Sequence, residues 1–324
     1  MSISNFTDFR VQEFIIFGFP GFQERENKNT LFAIFLTAYL LILLGNLLIL
    51  VIFAFDEGLH IPMYVLISSL AVVDIAISST TVPKMLDVLS FDNSFISFGG
   101  CLTQMGFYLA LVTTESFLLA VMAYDRYLAI CNPLHYPSLM NNRLVLKQIA
   151  CCWTLGIVVG LILVGLALRL PFCGPNKVIH CFCDHSSVVR LACADIVINN
   201  YMGLTLAMTV LFIPLTYILF SYIKIITSVL KIKSAEGRLK AFSTCGTHLL
   251  IISVFFLAAA FVYISYRVPG TSADVRIMAA VLQNVTPPLM NPIIYCLRNK
   301  EIRGSLVKTF RKTRILPNTR SFTF

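Results

Sequence analysis

Residues 122–136 read MAYDRYLAICNPLHY. The run before them, from Phe107 to Ala123, is largely apolar and about as long as a membrane crossing. Asp125, Arg126 and Tyr127 then arrive together, followed by another apolar turn and Asn132-Pro133. A charge pair at the end of such a run marks an edge between lipid and water. Arg126 there has two readings: it simply snorkels to the headgroups, or it is held by Asp125 and released toward a partner below the membrane.

The rest of the chain supports the membrane reading. Of its 324 residues 57% are hydrophobic and 13% charged, with a mean hydropathy of +0.82. A soluble domain carries roughly 25% charged residues, so this chain lacks the polar surface to cover itself in water. A crossing helix needs about 20 mostly apolar residues. Seven runs qualify, at about 31–55, 61–86, 99–124, 144–168, 197–230, 241–264 and 274–297. The expected fold is an all-α bundle of seven transmembrane helices. Residues 1–30 form an outer tail, 31–297 the bundle with a long second outer loop at 169–196, and 298–324 an inner tail. No basic region precedes the short apolar patch Phe14–Phe19, which argues against a cleaved signal peptide.

Lys and Arg set the orientation. Loops on the side of the C-terminus hold Arg126, Arg143, Lys147, Lys224, Lys231, Lys233, Arg238, Lys240 and eight more from Arg298 to Arg320. The opposite side holds Arg10, Arg25, Lys28, Lys84, Arg169, Lys177, Arg190, Arg267 and Arg276. The richer side is cytoplasmic, so the N-terminus lies outside. The net charge of +9 is then a topology and headgroup signal. Basic residues divided among short loops give nucleic-acid binding little support. Past the seventh run, Ile302, Leu306 and Phe310 recur every four residues, as in a short amphipathic helix on the inner leaflet.

Asn5-Phe6-Thr7 fits a glycosylation acceptor on the outer side. Of the ten cysteines, Cys101, Cys173, Cys181, Cys183 and Cys193 face outside, where disulfides form, and spacing does not fix their pairing. No repeat and no inverted pair of broken helices is visible, which weighs against a transporter. No nucleophile–base or metal cluster lies in the spans, so no enzymatic activity is expected; His248 stands alone.

Ionisable residues inside a membrane are costly and usually functional. Asp74 falls in the second run and Glu115 in the third. Tyr108, Val112, Glu115, Leu119, Met122 and Arg126 are spaced four, three, four, three and four apart, one face of a helix. Asn46 and Asn291 are candidate partners for Asp74. Asp74 and Glu115 either hold the helices together as a polar cluster or share a cation such as Na+; no other cofactor is expected.

Asp125-Arg126-Tyr127 and Asn291-Pro292-Ile293-Ile294-Tyr295 resemble two signatures of the rhodopsin-like G-protein-coupled receptors, and Asn46, Asp74, Trp153 and Pro214 fall on further landmarks. The strings MAYDRYLAICNPLHY, PMYVLISSLAVVD, KAFSTCGTHL and PPLMNPIIYCLRNKEIR narrow the resemblance to the olfactory receptors, over about residues 14–310. HCFCDHSSVVRLACAD and TVPKML look more like the class I, fish-like branch. The resemblance implies a small-molecule odorant bound from outside, an olfactory stimulatory G protein inside, a rise in cyclic AMP, and residence in the plasma membrane of sensory cilia. It also implies disulfides Cys101–Cys183 and Cys173–Cys193, with Cys181 unassigned. Asp125, Arg126, Tyr127, Tyr222, Asn291, Pro292 and Tyr295 become the coupling residues. A non-olfactory receptor of the same class, for a small molecule or peptide, is the nearest alternative.

The expected odorant cavity is apolar. It takes Tyr108, Leu109 and Val112 from span three, Gly203 and Ala207 from span five, Phe256, Ala259, Ala260 and Tyr263 from span six, and Ser186 from the outer loop. Phe256-Leu257 departs from the resemblance, standing where many class II olfactory receptors carry Tyr-Gly in a Phe-Tyr-Gly string, so the phenol at that switch point is missing. Arg267 shares the face of Phe256 and Tyr263 at the cavity mouth. It either binds a carboxylate or other acceptor head in two-pronged fashion, or snorkels, or pairs with Asp184 or Asp274.

Overall fold

A computed structural model describes residues 11–91, 94–231 and 234–315. The side chains of Tyr263, Arg267 and Phe310, and all of Asn5, lie outside the described residues. Seven long helices account for the seven apolar runs: α1 (Arg25–Phe55), α2 (Pro62–Phe91), α3 (Phe98–Cys131), α5 (Asn142–Leu168), α7 (Val197–Leu230), α8 (Ala235–Arg267) and α9 (Ala273–Arg298). Between and after them lie the short α4 (Tyr136–Leu139) and α6 (His185–Val189), and α10 (Lys300–Ile315).

The helices overrun the apolar runs. Helix α1 starts at Arg25 rather than near residue 31, and α3 ends at Cys131, seven residues beyond the run. Hydropathy measures the thickness of the hydrocarbon layer, whereas a helix stops only where backbone capping or a turn stops it. The ends show those devices. Ser97 accepts the Gly100 N–H (3.1 Å) before α3, and Asn141 accepts the Leu144 N–H (2.9 Å) before α5. Among the described residues, six helices are long and apolar enough to cross a membrane. The seventh, α9, has the length, with 26 residues, but its polar residues Asp274, Arg276, Gln283, Asn284 and Asn291 dilute its hydropathy.

Close helix contact depends on glycine at the α3–α5 seam. A Cβ placed at Gly160 would lie 2.6 Å from the Gly106 carbonyl oxygen, and one at Gly156 would strike the Ala110 carbonyl and the Thr114 hydroxyl. Small residues let helix backbones approach where lipid offers no hydrophobic drive to association.

The bundle is not purely helical. Strand β1 (Glu13–Ile16), in the stretch assigned to the outer tail, pairs antiparallel with β2 (Phe95–Ser97) and parallel with β3 (Lys177–Val178). This small sheet sits at the outer face of the helical bundle and was not expected from the sequence. Four residues are too few for alternation to stand out, and the pairing joins segments far apart in sequence. Phe14, Ile16 and Phe19 are buried beneath it. Phe14 packs against Phe98 and Phe172, with ring centroids 5.7 and 5.6 Å away. The Gly21 N–H donates to the Asp274 carboxylate (3.0 and 3.1 Å), tying the same segment to the top of α9.

At the inner end, α10 does more than lie on a leaflet. Ile302 is buried against Ile49, Ile52, Leu59, Tyr64 and Ile67, so the amphipathic face packs in part on the bundle.

Candidate functional site

Three zones lie along the bundle axis. The outermost is a cavity of about 360 Å³ between α3, α5, α7, α8, α9 and the outer loop. Its apolar walls include Leu109, Val112, Leu163, Ala207, Leu211, Phe255 and Ala259. That volume lies within the range of small-ligand pockets, roughly 300–1,000 Å³.

The outer loop roofs the cavity. Cys101 and Cys183, 82 residues apart in sequence, are joined, as are Cys173 and Cys193. Gln104 reinforces the first link: its Nε2 donates to the Thr80 carbonyl (2.8 Å) and its Oε1 accepts the Cys183 N–H (2.9 Å). Phe182 then sits over Tyr108, with ring centroids 5.1 Å apart. Cys181 stays a free thiol; burial, with the Asp274 carboxylate adding, pushes its pKa well up and keeps it protonated.

Most of the expected cavity residues do line it: Tyr108, Leu109, Val112, Gly203, Ala207, Ala259 and Ser186. Phe256 and Ala260 do not. Phe256 turns into the helix core and Phe255 takes the lining place. With both flanks of α8 apolar at this level, periodicity alone did not separate the two rings. Tyr263 and Arg267 are helical in backbone, with side chains outside the described residues. The two carboxylates considered as partners for Arg267 are both engaged. Asp274 accepts from Gly21, and Asp184 caps α6 by accepting the N–H groups of Ser186 (3.1 Å) and Ser187 (3.2 Å). Sequence reasoning missed Arg190, His185, Asn200 and Gln283, which also line the cavity; the first two depend on how the loop folds.

The middle zone is polar and fully enclosed. The Asn291 amide donates to Asp74 Oδ2 at 2.9 Å. Asn46 does not reach Asp74: its amide donates to the carbonyls of Ile42 and Pro288, both at 3.0 Å. Pro292, four residues further along α9, has no N–H to give the Pro288 carbonyl, and a carbonyl freed by proline in a membrane helix is commonly satisfied by a neighbouring side chain. Asp74 Oδ1, Glu115 Oε1, Asn291 Oδ1 and both amide atoms of Asn284 are buried with no hydrogen-bond partner among the described residues. Buried polar atoms of this kind call for water or an ion.

The inner zone answers the question posed by residues 125–127. Arg126 Nε donates to Asp125 Oδ2 at 2.9 Å and its Nη2 donates to the same oxygen. The Tyr136 hydroxyl donates to Asp125 Oδ1 at 2.7 Å, so α4 holds the carboxylate from the other side. Both charges are buried, which corrects the snorkelling reading of Arg126. The hydroxyls of Tyr222 and Tyr295 are buried nearby without partners among the described residues. His248 packs its ring against Tyr295, centroids 6.0 Å apart. Tyr127 borders the core, and Pro292 packs against α1 where a Cβ on Gly45 would meet its ring at 2.8 Å.

Comparison with known proteins agrees with this anatomy. Residues 35–313 match the family model described as olfactory receptor. The chain is 40% identical to human olfactory receptor 10A3 over 94% of its length and 96% of that protein's. It is 41% identical to human olfactory receptor 10A5 over 98% of its own length and 99% of that chain. With human olfactory receptor 2AT4 it shares 41% identity over 91% of its length and 92% of the relative's. These matches identify the family and not a branch within it. A multi-pass helix bundle with a roofed outer cavity and a charge lock at its inner end, matched along nearly its whole length by such relatives, belongs to the olfactory receptor family of G-protein-coupled receptors, which are not enzymes.

Proposed function

We propose that the chain binds a small, largely apolar odorant in the outer cavity and activates a stimulatory, olfactory-type G protein to raise cyclic AMP. The observation that carries this reading is the pairing of a largely apolar cavity of about 360 Å³ with an intact Asp125–Arg126 lock at the far end of the same helix. A ligand shifts a two-state equilibrium only through a difference in affinity for the two states. A cavity shared by α3, α7 and α8 can supply that difference, because movement of any one wall changes its shape. Opening would withdraw Arg126 from Asp125 and turn it toward the G protein, with Tyr222 and Tyr295 as new partners.

A sodium ion at Asp74 and Glu115 fits the proposal as a stabiliser of the locked state, supported by the unpartnered buried oxygens of both carboxylates. Arg267 as a carboxylate anchor and Asn5 as a glycan site belong to the same reading, as does residence in the plasma membrane of olfactory cilia. The test is agonist-dependent cyclic AMP in cells with and without a stimulatory Gα subunit. A response confined to the cells that contain it is expected. A response that persists unchanged in cells lacking that subunit would refute the coupling.

A further inference from the structure

The cavity is chemically uneven, and the unevenness sets which way round a ligand lies. At the floor, Thr113 and Ser116 are the hydroxyls available. Both protons are committed to backbone carbonyls, Thr113 to Leu109 and Ser116 to Val210, each at 2.8 Å. The floor can accept a hydrogen bond and has no hydroxyl proton to give.

The donors lie elsewhere. Arg190, at the end of α6, lines the cavity, as does Asn200 from the first turn of α7. Neither side chain has a hydrogen-bond or ionic partner within the described residues. His185 joins them and is more than nine-tenths buried, with its Nε2 buried and bonded to no described group. Burial lowers its pKa, against an opposing pull from Asp184, so the ring is neutral at physiological pH and can donate or accept according to tautomer. Gly203 makes room for that ring: a Cβ there would lie 3.0 Å from His185 Cε1. Asp184, the carboxylate on the same rim, has Oδ2 committed to the N-terminus of α6.

Resting on the reading of this cavity as the odorant site, we propose that Arg190, Asn200 and His185 form a head-group subsite for an oxygen acceptor, a carbonyl or a carboxylate. The hydrocarbon body of the ligand then points inward to Val112, Leu211 and Phe255. Arg190 comes from the outer loop and is independent of Arg267 on α8. A guanidinium suits this role because its planar donors can engage one oxygen or two without titrating.

The experiment is a dose–response of cyclic AMP to straight-chain acids, aldehydes, alcohols, amines and alkanes of matched length. The variants are Arg190→Met, Arg190→Gln, His185→Phe, Arg267→Ala and Val112→Trp, compared at equal surface level. Wild type should answer best to an acid or aldehyde. Arg190→Met should raise the half-maximal concentration for that agonist at least about tenfold, as for loss of a charge-assisted hydrogen bond. Arg190→Gln should spare aldehydes and penalise acids if the head is a carboxylate. His185→Phe keeps the ring volume and should weaken acceptor-headed agonists as well. An unchanged half-maximal concentration in Arg190→Met and His185→Phe overturns the subsite, as does a wild type that prefers amines or alkanes or answers no member of the panel. Val112→Trp separates the two readings. If it leaves the response intact, the cavity itself is not the odorant site; if it abolishes the response while Arg190→Met does nothing, only the head-group subsite fails.

Discussion

Arg126 shows how little freedom a buried charge has. Its guanidinium and the Asp125 carboxylate are both enclosed, and Tyr136 holds the second carboxylate oxygen. Removing one partner of such a pair leaves the other uncompensated. Arg126→Ala is expected to abolish agonist-dependent cyclic AMP while surface labelling stays close to wild type; a full response from a well-expressed mutant would refute the assigned role. Tyr136→Phe tests the lock from its other side. Losing a hydrogen bond of about 0.5–1.5 kcal/mol weakens the hold on Asp125 and should raise agonist-free cyclic AMP roughly two- to tenfold. Unchanged basal signalling would show that Tyr136 does not restrain the pair. The helical spacing from Tyr108 to Arg126 made this stripe legible in the sequence. Tyr136 was not legible as a partner, because the turn that brings it back under α3 is a matter of loop geometry.

Among the elements, the α3–α5 seam and the outer lid carry the sharpest tests. Gly160→Ala drives a methyl toward a backbone carbonyl that cannot rotate away, whereas Gly165 on the same helix has nothing within 4 Å. Overpacking of this kind typically costs about 1–3 kcal/mol. Thermal unfolding of purified receptor should be lowered by Gly160→Ala and unaffected by Gly165→Ala; equal effects would mean the seam is looser than the contact implies. In the lid, Cys183→Ser cuts the link between the outer loop and α3. Loss of a native disulfide typically costs about 2–5 kcal/mol, so the variant should be retained inside the cell, and normal surface delivery would contradict that. Helix existence was plain from apolar runs, because a membrane forces every crossing backbone to satisfy itself. The sheet of β1, β2 and β3 was not, since its three short strands gain order only from one another. The same holds for the lining by Arg190 and His185: their place follows from Asp184 capping α6 and from the niche at Gly203, neither of which has a periodic signature.

For the whole molecule, the axis runs from an apolar cavity through an enclosed polar middle to a charge lock. Asp74, Glu115, Asn284 and Asn291 in the middle zone carry unpartnered buried atoms, and such atoms call for water or an ion. The sequence marked Asp74 and Glu115 because charge is scarce in the spans. Asn46, a candidate partner of Asp74 in the sequence, instead donates to the Pro288 carbonyl, which Pro292 leaves without an N–H from its own helix. The most direct measurement is the odorant-elicited cyclic AMP response of two tryptophan variants of α7 at matched surface level. Ala207→Trp fills the cavity, whereas Ile213→Trp places the same indole at an exposed position on the same helix. Loss of the response in Ala207→Trp with a wild-type dose–response in Ile213→Trp is the predicted result; an unaltered dose–response in Ala207→Trp would contradict binding in this cavity.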